Sequence, residues 1–429
     1  MPSPAPLPPS LYAETAAPGF PAPPLEGEHR VPVAIVGGGF TGLSTALHLA
    51  EQGVAPTLIE ASEPGWGASG RNGGQVNPGL KWDPDQVQAD FGPELGARMI
   101  ALSYGAPELV FDIIRRHQIT CDARQQGTLR AAITPANASA VQATAAQCIR
   151  RGMPVEYLDR AAVAALTGTD RYAGAMLDRR GGDLNPLSYA RGLARAAAQR
   201  GARIHGATPA LSLAREGALW RIATPQGSLL AEQVVLATNG YTGDLWPGLR
   251  RSLAPVFSSI AATAPLPDAV ARSILPLRGS VYESGNITVY YRLDQANRLL
   301  MGGRGPQRPM QDTGPVQYLL RYAERLWPAL KGATWTHGWN GQLAMTQDHY
   351  PHLHEPAPGL LAALGYNGRG VAMATAMGGQ LARRLLGTPA EALDMPLRPI
   401  RPIPFHRFWR LGVAATVAKG RVKDRLGLS

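Results

Sequence analysis

The six residues Gly37-Gly38-Gly39-Phe40-Thr41-Gly42 follow the apolar run Val31-Pro32-Val33-Ala34-Ile35-Val36 and precede the helix-compatible stretch Leu43 to Gln52. A G-x-G-x-x-G pattern is weak alone, but between a strand and a helix it predicts one local fold. Gly37 permits the tight turn, Gly39 lets the backbone approach a pyrophosphate, and Gly42 lets the helix press onto the strand. The N-terminus of that helix then offers unpaired amides and the positive end of its dipole to phosphate. Glu60 ends the next predicted strand, Thr57-Leu58-Ile59-Glu60, where such folds place an acid for ribose hydroxyls. A carboxylate there disfavours a 2′-phosphate. The fingerprint alone leaves FAD and NAD both open.

Buried-strand patterns recur at Ala202-Arg203-Ile204-His205 and Gln233-Val234-Val235-Leu236-Ala237, with an Ala-rich helical stretch from Leu187 to Arg200. These predict an α/β fold in which a doubly wound, Rossmann-type domain carries an inserted, mainly antiparallel-sheet substrate domain. The dinucleotide-binding part is expected at 29–84, 181–247 and 334–395, and the substrate domain at 85–180 and 248–333. Alternating segments such as Ile287-Thr288-Val289-Tyr290-Tyr291-Arg292 mark the latter. Residues 1–28, crowded with prolines such as Pro21, Pro23 and Pro24, are expected to form an extended arm. In the tail, 396–429, Phe405, Phe408, Trp409 and Leu411 alternate with Arg407, Arg410, Lys419, Arg421, Lys423 and Arg425. This reads as a basic amphipathic helix that covers the protein's own core, with peripheral membrane contact as the alternative.

A formal net charge of +11 suggests a polyanion partner, yet the arginines are scattered and no nucleic-acid-binding motif accompanies them. No nucleic-acid partner is expected. Cys121 and Cys148 lack the spacing of a disulfide framework or zinc site, and neither a signal peptide nor a membrane span is evident, so a cytoplasmic location is expected. His349, His352 and His354 invite a metal reading, but no cysteine pattern supports it and no metal is expected.

A second constellation follows the second strand: Gly65-Trp66-Gly67-Ala68-Ser69-Gly70-Arg71-Asn72-Gly73-Gly74-Gln75. It resembles the D-amino-acid oxidase superfamily, and its Gly-Arg-Asn-Gly-Gly-Gln variant resembles the gamma-glutamylputrescine oxidase branch. Three later stretches match in order: His205 to Ala210, Ala237-Thr238-Asn239-Gly240-Tyr241, and Gly365-Tyr366-Asn367-Gly368-Arg369-Gly370-Val371 before the helix Ala372 to Leu386. The resemblance implies FAD held by Gly37, Gly39, Phe40, Thr41, Gly42, Glu60 and Ala61. It adds Ser69, Gly70, Arg71, Asn72, Gly73 and Gln75 from the early loop, and Ala210 at the adenine. Thr238, Asn239, Gly240, Gly341, Asn367, Gly368, Arg369, Gly370 and Val371 complete the set. The last loop and its helix would supply the positive field that a reduced flavin needs.

The resemblance also implies oxidation of an amine, CH–NH or CH–NH₂, to an imine that hydrolyses to a carbonyl compound. A gamma-glutamylputrescine-like substrate is expected, with a D-amino acid or a sarcosine- or glycine-like substrate as the alternative within the class. A FAD-binding structural or assembly protein is the alternative outside it. Tyr290, Tyr291 and Arg292 should face the flavin, Arg292 clamping a carboxylate, with Gln342 on the other side; Tyr291, Arg292 and Gln342 are the catalytic candidates. Two departures stand out. No cysteine follows Cys148 and Gly70-Arg71-Asn72 replaces the early-loop histidine of some relatives, so the FAD should be non-covalent. No lysine lies between Lys81 and Lys331, so the oxygen-activating lysine of sarcosine-oxidase-like relatives has no counterpart there. Arg278 or Arg292 would then supply the fixed charge, or electrons would leave to an acceptor other than oxygen.

Overall fold

The computed structural model describes residues 5–285 and 288–425. Strand Gly27–Val36 lies inside an eight-stranded sheet. Across it run His352–Ala357, Leu360–Leu364, Gly227–Leu236, Gly27–Val36, Thr57–Ile59 and Arg203–His205, parallel to one another except for the first. The hairpin Ser212–Glu216 and Leu219–Ala223 pairs antiparallel onto Gly227–Leu236. Apolar residues at both parities explain the central position. Val33 and Ile35 enter the core shared with helix Phe40–Glu51, while Ala34 and Val36 enter the core on the opposite face.

The second sheet also has eight strands and is mainly antiparallel, in the order Trp335–Met345, Ala254–Thr263, Leu299–Arg304, Tyr290–Leu293, Ser280–Ser284, Thr128–Ala132, Gly174–Asp178 and Val155–Asp159. Its one parallel pairing, Val281 beside Leu129, joins two chain segments far apart in sequence. A short ribbon, Gln75–Val76 against Gly182–Asp183, runs between the two sheets' segments.

Four expectations need correcting. Trp335–Met345, expected in the dinucleotide-binding part from residue 334, is an edge strand of the second sheet, held by ten residues of antiparallel register to Ala254–Thr263. The strand expected from Ile287 begins only at Tyr290, and Ile287 lies outside the described residues. The arm is not simply extended: a proline-free stretch forms helix Leu11–Thr15, capped where the Ser10 hydroxyl accepts from the Ala13 amide at 3.2 Å. Its Tyr12 is buried edge-on against Trp339 at 5.2 Å. The arm continues as a strap, with Ala17 N donating to Ser188 Oγ and Arg191 donating to Ala17 O. Finally, the tail does form helix Trp409–Arg425, but it does not cover a core: Phe405, Phe408 and Leu411 are 81%, 49% and 69% exposed. Among the described residues, no helix is long and apolar enough to cross a membrane.

Because Tyr12 is buried in one apolar cluster with Trp339 and Leu187, Tyr12→Ala should cost about 3 kcal/mol. Chemical denaturation of the purified protein should show the loss as a lowered midpoint, and an unchanged midpoint would mean the strap contributes nothing.

Candidate active site

Two helix N-termini converge. Helix Phe40–Glu51 leaves the glycine turn, where Gly37 holds φ +115° and a Cβ would lie 2.8 Å from the Ala237 carbonyl oxygen. Gly42 is more constrained, since a Cβ there would lie 2.0 Å from Gly37 O. Helix Gly370–Leu385 starts beside it, and Tyr366 and Thr41 join the two entrances through hydroxyls 2.5 Å apart. The Ser69 hydroxyl accepts from the Phe40 amide at 3.0 Å, so the early loop closes onto the first turn.

A cavity of ≈ 490 Å³ opens between these N-termini and the second sheet. Its wall includes Gly39, Phe40, Thr41, Ser69, Arg71, Asn72, Gly73 and Gln75 from the first turn and early loop. Asn239, Gly341, Asn367, Gly368, Arg369, Gly370 and Val371 complete that side. The loops are braced from within. Asn72 donates to the Ala68 and Ser69 carbonyls and accepts from Gly74 N, and Gln75 donates to Val281 O at 2.9 Å. Arg71 donates to the Tyr241 hydroxyl and stacks over Trp66. Asn367, at φ +52°, accepts from Thr346 N, and Asn239 accepts from Gly365 N.

Other expected residues lie off the cavity wall. Gly37, Gly42 and Gly70 shape turns beneath it. Glu60 and Ala61 follow strand Thr57–Ile59, where the Glu60 carboxylate accepts from Gly38 N at 2.7 Å and Ser62 N at 3.0 Å. Burial raises the Glu60 pKa against these amides. Thr208 N donates to Glu60 O, which brings the segment reaching Ala210 to the same sheet end. Thr238 bonds the Thr242 hydroxyl, and Gly240 O accepts from Gln342 Nε2 at 2.5 Å. Gln342 is thus engaged beside the cavity, while its neighbours Gly341 and Leu343 line it.

Strand alternation decides the catalytic candidates. Tyr290 faces the cavity and bonds Ser258 at 3.0 Å. Tyr291 points the other way, into the second sheet's core, bonding Tyr172 at 2.9 Å and packing edge-on against Trp327. Arg292 is on the Tyr290 face but is fully engaged: it donates to Gly73 O at 2.7 Å, Asp183 at 3.2 Å and Tyr12 OH at 3.1 Å. A buried guanidinium with three protein partners does not clamp a substrate carboxylate, so Tyr291 and Arg292 are corrected to structural residues. Arg278, at φ +57°, likewise spends its guanidinium on Asn297 and Asp294 O.

The sequence reading missed Lys81, Arg130, Tyr282 and Arg304, all on the cavity wall. Lys81 lines the cavity and keeps contact with solvent; desolvation first, then Arg369, Arg130 and Arg304, lower its pKa to about 8. The same alternation that excludes Tyr291 could have found Tyr282, whose register partner is Tyr290. Of the three histidines, His352 bonds Asp348 and His354 Nδ1 contacts Arg398 O.

Paired helix N-termini, a glycine turn without room for a Cβ and a half-buried acid at the second strand's end fit a dinucleotide bearing a flavin. The wall contains neither cysteine nor histidine among the described residues, which fits FAD held without a covalent bond. A sequence profile described as FAD dependent oxidoreductase matches residues 32–384. Gamma-glutamylputrescine oxidoreductase of Escherichia coli (strain K12) is 32% identical over 98% of this chain and 99% of its own length. The crystal structure of glycine oxidase from Geobacillus kaustophilus superposes with a TM-score of 0.72 at 26% identity, covering 88% of this chain and 99% of that one. The structure of an L-amino acid deaminase from Proteus myxofaciens, at 17% identity and a TM-score of 0.72, shares the fold.

Acid precipitation should release the whole flavin absorbance into the supernatant, whereas yellow colour staying with the pellet would mean a covalent link. Gly42→Val should weaken FAD retention roughly tenfold or more, read as the flavin-to-protein absorbance ratio after dialysis, since the helix must leave the turn.

Proposed function

The chain belongs to the FAD-dependent oxidoreductase family of D-amino-acid oxidase type, and from that premise we propose that it oxidises a gamma-glutamylputrescine-like amine to an imine. FAD, when bound, accepts the hydride from the carbon bearing the amine. The observation that carries the reading is a single cavity joining both helix N-termini to the Tyr290 and Tyr282 wall. Those tyrosine rings and the early loop exclude water from one side of the reacting carbon. The cations Lys81, Arg130, Arg304 and Arg369 disfavour an ammonium nearby, which favours the neutral amine required for hydride loss. The imine then hydrolyses to a carbonyl compound.

Similarity along nearly the full length of both chains supports the gamma-glutamyl amine over a D-amino acid. The D-amino-acid reading further loses its Tyr291 and Arg292 clamp, because both side chains are engaged elsewhere. Electrons pass on to oxygen or another acceptor. A cytoplasmic location is part of the proposal, supported by two free, buried thiols; burial pushes the Cys121 thiol up to about 12, which keeps it unreactive.

Anaerobic addition of gamma-glutamylputrescine, D-alanine or sarcosine to the yellow protein tests this directly. Gamma-glutamylputrescine should bleach the flavin band near ~450 nm fastest. Faster bleaching by D-alanine or sarcosine would shift the substrate assignment, and no bleaching by any of the three would overturn amine oxidation.

A further inference from the structure

Helix Trp409–Arg425 has two unlike sides. Trp409, Val413 and Gly420, spaced to share one side, are half-buried or buried, and the helix rests on strand Ala254–Thr263. The turn before it is tethered to the same region: Ile403 N donates to Arg251 O at 2.7 Å and His406 Nε2 to Leu253 O at 2.8 Å. The other side, with Phe408, Leu411 and Ala415 at helical spacing, is open to solvent. Among the described residues, Phe405 and Leu411 are the two most exposed large apolar side chains. Phe405 also holds φ +55°, a left-handed backbone that is costly for a bulky residue, in the turn that leaves its ring outside the protein.

Cations frame this apolar side. The Arg407 guanidinium lies 4.7 Å from the centroid of the Phe408 ring and that of Arg410 5.5 Å from the Trp409 ring. Arg401, Arg407, Arg410 and Lys419 are exposed, and none has an ion pair with a described residue. The sequence extends the run with Arg421, Lys423 and Arg425, and in 399–425 only Asp424 is acidic. We propose that this face docks on an anionic phospholipid surface, which makes the protein a peripheral membrane protein. Since no described helix is long and apolar enough to span, the helix lies in the plane of the interface.

Charge and apolarity together select this occupant. Phe405, Phe408 and Leu411 leave water by entering the boundary between headgroups and acyl chains, while the long arginine and lysine stems let their charged ends stay at the level of the lipid phosphates. An anionic leaflet attracts each of those cations in turn. A nucleic acid would engage the cations through its phosphates but leave the apolar side chains in water. A second copy of the chain, paired through the same patch, would set one positive run against another.

Co-sedimentation of the full-length holoenzyme with vesicles tests the proposal. Equimolar phosphatidylglycerol and phosphatidylcholine should carry the protein into the pellet, and phosphatidylcholine alone should hold roughly tenfold less or lower still. Salt at about 1 M should shrink that difference by screening the attraction. Phe405→Ser combined with Leu411→Ser should weaken partitioning onto the mixed vesicles roughly tenfold or more. Arg407→Glu combined with Arg410→Glu should remove the preference for the anionic lipid. These side chains are exposed and lie off the cavity wall, so each variant should keep its flavin absorbance, which verifies that it is folded. Absence of the wild type from both pellets, equal retention by the two vesicle types, or undiminished sedimentation of the Phe405→Ser, Leu411→Ser variant overturns the proposal. A lipid-free dimer that the same variant dissolves, seen by analytical ultracentrifugation, would assign the face to a second copy instead, and retardation of duplex DNA without vesicle binding would assign it to nucleic acid. Anaerobic flavin bleaching by an amine is independent of all these outcomes.

Discussion

Asp183 has no contact with solvent, and burial raises its pKa against the pull of Arg292 and Arg124. One of its oxygens accepts from Arg124 at 2.7 Å and Arg292 at 3.2 Å; the other has no hydrogen-bond partner. Such a group is costly to bury, and removing one cation would leave charge uncompensated. Its position explains why it persists. Asp183 pairs with Gln75 across the short ribbon, Arg292 belongs to the second sheet, Gly73 lies in the early loop, and Tyr12 comes from the N-terminal strap. One ionic knot therefore sets four chain segments against each other at the edge of the cavity.

That knot is also where the sequence was least legible. Tyr291 and Arg292 have the residue types of a carboxylate clamp, and nothing local distinguishes a free arginine from one bound to an aspartate more than a hundred residues away. The first glycine turn was legible because its chemistry is local: strand, turn and helix are contiguous, and the glycines answer to contacts within that unit. The early loop and the last loop were legible through resemblance, and their cavity-lining residues are those expected in the main. Lys81 was visible in the sequence only as the start of a lysine-free stretch, and Arg304 was not among the candidates. Only folding shows that they share a wall.

The boundary at residue 334 failed for a similar reason. Strand Trp335–Met345 is followed within a few residues by strands His352–Ala357 and Leu360–Leu364 of the first sheet, so the chain changes sheets across a short connection. Composition does not change there. The crossing has a structural use, because it places Gly341 against the early loop, with Arg71 Cβ 3.3 Å from where its own Cβ would be, and sends Trp339 Nε1 to Arg71 O at 3.0 Å.

Two sources of positive potential act on this cavity and differ in cost. The N-termini of Phe40–Glu51 and Gly370–Leu385 contribute roughly half a charge each without burying an ion. They can do so side by side because the helices pack closely: Ser44 Oγ donates to Thr375 O at 2.7 Å, and a Cβ on Gly378 would lie 2.5 Å from Ser44 Cβ. That field is fixed by backbone and suits a cofactor that is always present. Lys81 and Arg304, by contrast, are full charges carried on side chains, and desolvation at the wall lowers the pKa of each, so holding them there costs hydration that a helix dipole does not.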